Sequence, residues 1–182
     1  ESYKKLIRND TKMIVATGAS NVFGIKLPVE KLAKLAHEHG ILFLLDMAQT
    51  AGSEHVDMEK MGIDFICAPG HKGLLGPMGT GILASKRPEL LKPHLFGGTG
   101  SYSLLPNQPE GLPEMLESGT LNVPGICGLF EGIEIIRSKG EENIAEKEIS
   151  MAKYLYEELS KMKNVILFTK SPEKETHSAV IS

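Results

Sequence analysis

The sequence has no tryptophan and only two cysteines, Cys67 and Cys127, among its 182 residues. So few cysteines exclude a disulfide framework. Cys67 falls in a buried-strand pattern and Cys127 in a helix pattern, so both are expected as reduced core residues. No apolar stretch approaches the roughly 20 residues that a membrane span requires, and no secretory signal pattern opens the chain. A cytoplasmic protein without a membrane partner is the expectation. Charge of one sign is also missing. The net charge of -3 and a pI near 6.1 give no electrostatic reason to expect nucleic acid or an anionic surface. The remaining composition, 41% hydrophobic and 24% charged, is that of a globular chain long enough for a real core.

Several named motifs are absent too. "GPMGTG" lacks the G-x-G-x-x-G spacing, and "GASNVFGIK" is not G-x-x-x-x-G-K-[ST], so both nucleotide-loop readings fail. His37 and His39 in "HEHG" stand two apart, which points them in different directions on a helix. No metal site is expected there, and a solvated helix end is the simpler reading.

Glycine, by contrast, is plentiful, and it gathers in one place. "CAPGHKGLLGPMGTGIL" (67–83) holds Gly70, Gly73, Gly76, Gly79 and Gly81 around a single lysine, Lys72. Such density costs backbone entropy, so it marks sharp bends or close approach of the main chain. The preceding "GIDFICA" is short, apolar and bounded by turn residues, as a buried strand is. Lys72 therefore falls just past a strand's carboxyl end, where open α/β sheets place their ligands.

Strand and helix patterns alternate along the chain. "KMIVATG" reads as a strand followed by the loop "ASNVFGIKLP". Pro28 opens a helix over about 29–39, with Leu32, Leu35 and Ala36 on one face and Gly40 as its stop. "ILFLLDMA" is a continuous apolar run, expected to be buried on both faces of a parallel sheet. A short helix over Met58–Met61 precedes "DFICAPG". "TGILASK" follows by so short a link that it should run antiparallel to its neighbour. These elements imply an α/β layered domain. The stretch from Gly97 to Asn122 is irregular and long enough to suggest function. Asn122 can cap a helix through "VPGICGLFEGIEIIRSKG". A second helix over about 141–161 carries Ile144, Ala152, Leu155, Leu159 and Met162 at helical spacing. "NVILFT" reads as a strand starting another layer, and "THSAVIS" as the first half of one. The chain opens mid-pattern without an initiator Met, so a fragment is expected.

Asp46 and Lys72 form the strongest chemical pair. Asp46 ends "ILFLLD" as an ionisable group after five apolar residues. It is either a satisfied structural acid or a ligand group at the sheet edge. With Lys72 at the end of the next strand, a plain salt bridge is the simplest reading. Gln49 beyond Asp46, His71 beside Lys72, and Ser20 and Asn21 after the first strand argue for more, since all would converge on one rim.

"LLDMAQTAG", "APGHKGLLGPMGTGIL", "ASNVFG", "GGTGS" and "ESGTLNVPG" together resemble the class V aminotransferase and cysteine desulfurase family, from about Met13 to Leu129 and in family order. These are fold-type I enzymes that use pyridoxal 5'-phosphate (PLP). The resemblance implies part of a three-layer α/β/α large domain over 1–140, with a mostly parallel sheet and one antiparallel strand. A linking helix and the start of a small α+β C-terminal domain would follow over 141–182. Lys72 resembles the lysine that forms the internal aldimine and moves the substrate's α proton. A partly desolvated rim would favour its neutral, nucleophilic form. Asp46 resembles the carboxylate that keeps the pyridine nitrogen protonated. Gln49 and Asn21 resemble the side chains on the ring's 3-oxygen, and His71 the histidine on the phosphate side. Thr99 resembles a residue reaching a neighbouring subunit's cofactor, which implies a homodimer.

The implied activity is of the cysteine desulfurase or selenocysteine lyase type, with cysteine or selenocysteine as substrate and a sulfur-acceptor protein as partner. A class V aminotransferase and a non-catalytic, cofactor-free fragment are the alternatives. Two positions depart from the family pattern. Gly18 stands where many relatives have His, and Pro69 where they often have Ser or Thr. The family's persulfide cysteine matches neither Cys67 nor Cys127.

Overall fold

The computed structural model describes residues 2–102 and 104–182; Glu1, and Ser103 within the long irregular stretch, lie outside the described residues. Among the described residues, four strands form one sheet in the order β1 (Met13–Thr17), β2 (Leu42–Asp46), β3 (Phe65–Pro69), β4 (Gly81–Ser85). β1, β2 and β3 are parallel, while β4 runs antiparallel to β3. The short link through Lys72 produces that reversal, as expected. Among the described residues, five α-helices accompany the strands: α1 (Ser2–Leu6), α2 (Val29–Glu38), α3 (Met58–Met61), α4 (Val123–Lys139) and α5 (Glu141–Ser160).

Local chemistry sets the helix ends. Pro28 occupies the N-cap of α2, and Gly40, just past its end, takes φ +65, a left-handed turn that glycine adopts without a Cβ penalty. Asp57 caps α3, its Oδ1 accepting from the Glu59 N–H at 3.0 Å and the Lys60 N–H at 3.1 Å. Asn122 caps α4 through Gly125 N–H at 3.1 Å, as its side chain suggested.

The core lies between the sheet and α2. Leu32, Ala33 and Ala36 of the helix meet Ile14, Ala16, Phe43 and Leu45 of the strands, with Phe43 and Leu45 almost wholly buried. Alternation along each strand puts the other side chains on the opposite face. There the expectation of two buried faces is not met. Leu42 and Leu44 are half-buried, while Val15 is 60% and Leu83 55% exposed. The apolar run of β2 mixes one fully covered face with one lightly covered face, and hydropathy alone does not separate these cases.

The C-terminal third corrects other expectations. "NVILFT" forms no strand, because a strand needs a ladder partner and Phe168 N–H bonds only to the Ser182 carbonyl, at 2.7 Å. "THSAVIS" contributes only an isolated bridge from His177 to Ile25. On α5 the buried face is Ala145, Ile149 and Ala152, whereas Leu155, and Met162 just past the helix end, are about half exposed. Cys67 is half-buried and Cys127 exposed, not core. Cys127 lies on the outer side of α4, away from its buried residues Leu129, Gly132 and Ile136.

His37 is not a free helix end. Its Nε2 lies 3.0 Å from Asp64 Oδ2, and the same oxygen accepts from the buried Phe43 N–H at 2.8 Å. Asp64, 7% exposed, thereby ties α2 to β2 from the start of β3. Replacing Asp64 with Ala strands the Phe43 N–H, a loss of about 1–3 kcal/mol. Chemical denaturation of Asp64→Ala against the parent chain should show a lower midpoint with an unchanged slope.

Candidate functional site

Three parallel strands end side by side, and the site grows from those ends. Thr17, Asp46 and Cys67 are successive register partners across β1, β2 and β3. The backbone fixes Asp46 from both sides. Its carbonyl accepts from Gly18 N–H at 2.8 Å, and the next residue, Met47, donates to the Cys67 carbonyl at 2.8 Å. Its carboxylate Oδ1 accepts from the Ala48 N–H at 2.8 Å. This bond starts a tight turn, closed by Thr50 and Ala51 N–H groups on the Met47 carbonyl, and the turn carries Gln49.

Lys72 sits on the turn that follows β3. Gly70 N–H bonds to the Thr80 carbonyl at 2.8 Å, Gly76 N–H to the Gly70 carbonyl at 2.7 Å, and Leu75 N–H to the Lys72 carbonyl at 2.9 Å. Leu75 takes φ +58, a left-handed conformation unusual for a branched side chain and costing on the order of 1–2 kcal/mol. Close packing holds it there. A Cβ on Gly132 of α4 would stand 2.4 Å from the Leu74 carbonyl oxygen, so α4 presses its backbone against the lysine turn. The two turns also meet backbone to backbone. A Cβ on Gly73 would lie 2.1 Å from the Ala51 carbonyl oxygen, and one on Gly52 would lie 2.3 Å from that of Gly73.

A cavity of about 960 Å³ opens beside this contact. Gln49, Lys72 and Gly73 line one wall, Glu148 and its α5 neighbours another, and residues 178–181 a third. Desolvation pushes the Glu148 carboxyl above the ordinary range; a hydrogen bond from Ser53 opposes this, and the nearby Glu54 charge adds to it.

Of the expected residues, Gln49 and Lys72 share this cavity, whereas Asn21, Asp46, His71 and Thr99 are not among its lining. Asp46 stands one turn behind Gln49, and His71 precedes Lys72. Asn21 lies exposed in a turn where Ser20 Oγ accepts from the Val22 and Phe23 N–H groups. Thr99 is half-buried in a loop held by buried Gln108, which accepts from Gly97 N–H at 3.2 Å and donates to the Glu114 and Glu117 carbonyls. His71 and Lys72 are both exposed. The desolvated rim expected around Lys72 is therefore not supplied by the described residues.

The two departures have structural reasons. A Cβ on Gly18 would meet buried Thr50 Oγ1 at 2.6 Å, so a histidine there requires that threonine to move. Pro69 closes β3 opposite Gly81, at the end of the ladder where a missing N–H is tolerated. Sequence reading missed Gly52, Thr50, Gln108, Glu148 and residues 178–181. The one signal available was the tight small-residue run "AGS" after Gln49.

Cys67 adjoins Asp46, and its thiol is raised above its usual range by burial first and by the Asp46 charge second. A thiol held protonated is a poor nucleophile. Alkylation of the native chain at neutral pH, read by peptide mass, should modify exposed Cys127 well before Cys67. Glu148 yields a pH prediction. With its folded value raised, the folded chain keeps a proton that the unfolded chain has lost, so stability falls as pH rises through that window. Glu148→Gln should flatten this slope in thermal melts run from acid to neutral pH.

The Aminotransferase class-V family model matches residues 1–182. A probable cysteine desulfurase of Halalkalibacterium halodurans is 33% identical over 178 residues, covering 96% of this chain and 43% of that protein. Among solved structures, the cysteine desulfurase CsdA of Escherichia coli aligns with a TM-score of 0.84 and 28% identity over 98% of this chain and 44% of its own. The apo cysteine desulfurase of Thermococcus onnurineus NA1 aligns with a TM-score of 0.78 and 31% identity over 93% of this chain and 43% of its own. The chain thus spans less than half the length of the relatives it matches. With the mixed sheet, the lysine turn and the full-length match in agreement, the chain belongs to the class-V aminotransferase family.

Proposed function

We propose that this chain is the lysine-bearing part of a PLP-dependent enzyme of the cysteine desulfurase or selenocysteine lyase type, with cysteine as the favoured substrate. The observation that carries the reading is the placement of Lys72 and Gln49 on one cavity, directly after the strands that end in Asp46 and Pro69. The donor set fits the cofactor: an exposed primary amine, a carboxylate pinned at a strand end, side-chain amides, an imidazole and a hydroxyl. When bound, PLP supplies a sink for the electrons released as a bond at the substrate's α-carbon breaks.

The chain's own residues divide the remaining work. Lys72 Nζ would hold the cofactor through its aldehyde and later move the substrate's α proton. Asp46 would keep a proton on the pyridine nitrogen. The Ala48 N–H on Oδ1 fixes the carboxylate's direction, so the charge arrives already oriented. Gln49 and Asn21 would bond the ring's 3-oxygen. His71 would serve the phosphate side, and Thr99 the phosphate of a second subunit's cofactor in a homodimer. The cavity wall of α5 and residues 178–181 would limit the space open to the amino acid. The PLP-binding unit would span 1–140 and the linking helix and start of a small domain 141–182, a division supported by the break between α4 and α5 at Gly140, where φ is +82. A sulfur-acceptor protein would be the natural partner. Among the described residues, no helix is long and apolar enough to cross a membrane.

The test uses the full-length protein mixed with PLP, reduced with borohydride and digested. A cofactor label on Lys72 is expected, and Lys72→Ala should lose both the label and the visible absorption band, with activity down by about a thousandfold or more. Alanine, together with sulfane sulfur passed to an added thiol that a second thiol equivalent reduces to sulfide, would support the lyase reading, whereas a keto acid would replace it with a transaminase. A label scattered over surface lysines would sink the cofactor role.

A further inference from the structure

Lys26 is the anomaly of the β1–α2 loop. It sits in the apolar run "FGIKLP", and its side chain is only 13% exposed, against 79% for Lys34 and 84% for Lys60. A lysine so covered must be paired, since an uncompensated ammonium is costly to bury. Its Nζ bonds to the Glu54 carboxylate and to the Lys174 carbonyl, while its backbone N–H donates to the Thr176 carbonyl at 2.8 Å. One side chain therefore joins three separate stretches. Asn21 lies on the first, Glu54 follows Gln49 on the second, and Lys174 lies near the start of the third.

The third stretch, 173–182, runs along the β1–α2 loop like a strap. Ser178 N–H bonds to the Gly24 carbonyl at 2.8 Å, His177 bridges to Ile25, and Ser182 Oγ donates to the Val22 carbonyl. Lys174 in turn pairs with Glu142 and, at 3.9 Å, with Glu146 on α5. Four residues beyond Lys174 the strap becomes the wall of the Lys72 cavity, at 178–181. Nothing else charged and comparably buried holds the root of that wall to the sheet's loops among the described residues.

We propose that Lys26 is a positioning residue, whose pairing with Glu54 and the Lys174 carbonyl fixes the 173–182 strap and so sets the substrate side of the Lys72 cavity. The proposal rests on the reading of that cavity as the amino-acid site. Lys26 touches none of the reacting groups in this arrangement. Its loss acts on how well substrate is held, through a wall that moves, and not on proton transfer at Lys72. An effect on KM with little change in kcat is the corresponding kinetic signature.

The experiment compares the full-length PLP-loaded protein with its Lys26→Met and Lys26→Arg variants. Hydrogen exchange read by mass spectrometry reports the strap, and steady-state kinetics with L-cysteine report the site. Lys26→Met should speed amide exchange across 174–182 and raise KM by about five- to tenfold, with kcat within about twofold. Lys26→Arg, which keeps the charge, should recover most of both. Should Lys26→Met fail to fold, Glu54→Gln removes the same ion pair with little change of shape and is read identically. Unchanged exchange in 174–182 would overturn the proposal, as would faster exchange with an unchanged KM. Failure of the wild type to take cofactor on Lys72 would instead refute the functional reading, and the exchange result does not depend on it.

Discussion

The contact between Gly52 and Gly73 is the constraint around which the site is arranged. Neither position has room for a side chain, because each glycine's missing Cβ would collide with backbone at 2.3 Å or less. The two turns can therefore lie against each other with no atoms between them. That contact brings the residues after β2 directly alongside those after β3. Asp46 and Gln49 belong to one turn and Lys72 to the other. Their relation is set by main chain, which is stiffer than any pair of flexible side chains.

Everything behind the contact works to keep it. α4 presses on the lysine turn at Leu74 and holds Leu75 at a positive φ. Such a conformation persists only where surroundings over-determine it. On the other side, Thr50 is buried under Gly18, which fastens the first turn to the end of β1. The sheet is anchored to α2 by Asp64, whose single oxygen serves both Phe43 and His37. Apolar packing of the buried Phe43 and Leu45 against α2 makes the platform. The glycines then fix the spacing of its upper edge.

How much of this could be read from the residues varied with the range of the interaction. The strands, α2, α3, the antiparallel turn at β4 and the Asn122 cap were legible, because each depends on neighbours a few positions away. Lys72 and Asp46 stood out because charge follows an apolar run. Cys127 was misjudged, since a helix pattern does not say which side faces inward when Gly125 and Gly132 form the close-packed face. "NVILFT" carried strand composition, but a strand exists only with a partner, and composition holds no information about partners. The role of Glu148 was invisible for the same reason. Its cavity is assembled from stretches about a hundred residues apart in sequence, as Gln49 and Glu148 illustrate.

The strap has a consequence for the chain entropy of the fold. β1 to β4 are neighbours in space in the order they occur in sequence, so each pairing closes a shorter loop than the strap does. The strap's contacts, from Gly24 to Ser178 and from Val22 to Ser182, join residues more than 150 positions apart. Closing so long a loop brings a loss of chain entropy that only the finished sheet can offset. The lysine turn therefore needs only local closure, whereas the wall opposite it depends on the finished sheet. The open side of the cavity is the part of the fold that costs most chain entropy to close.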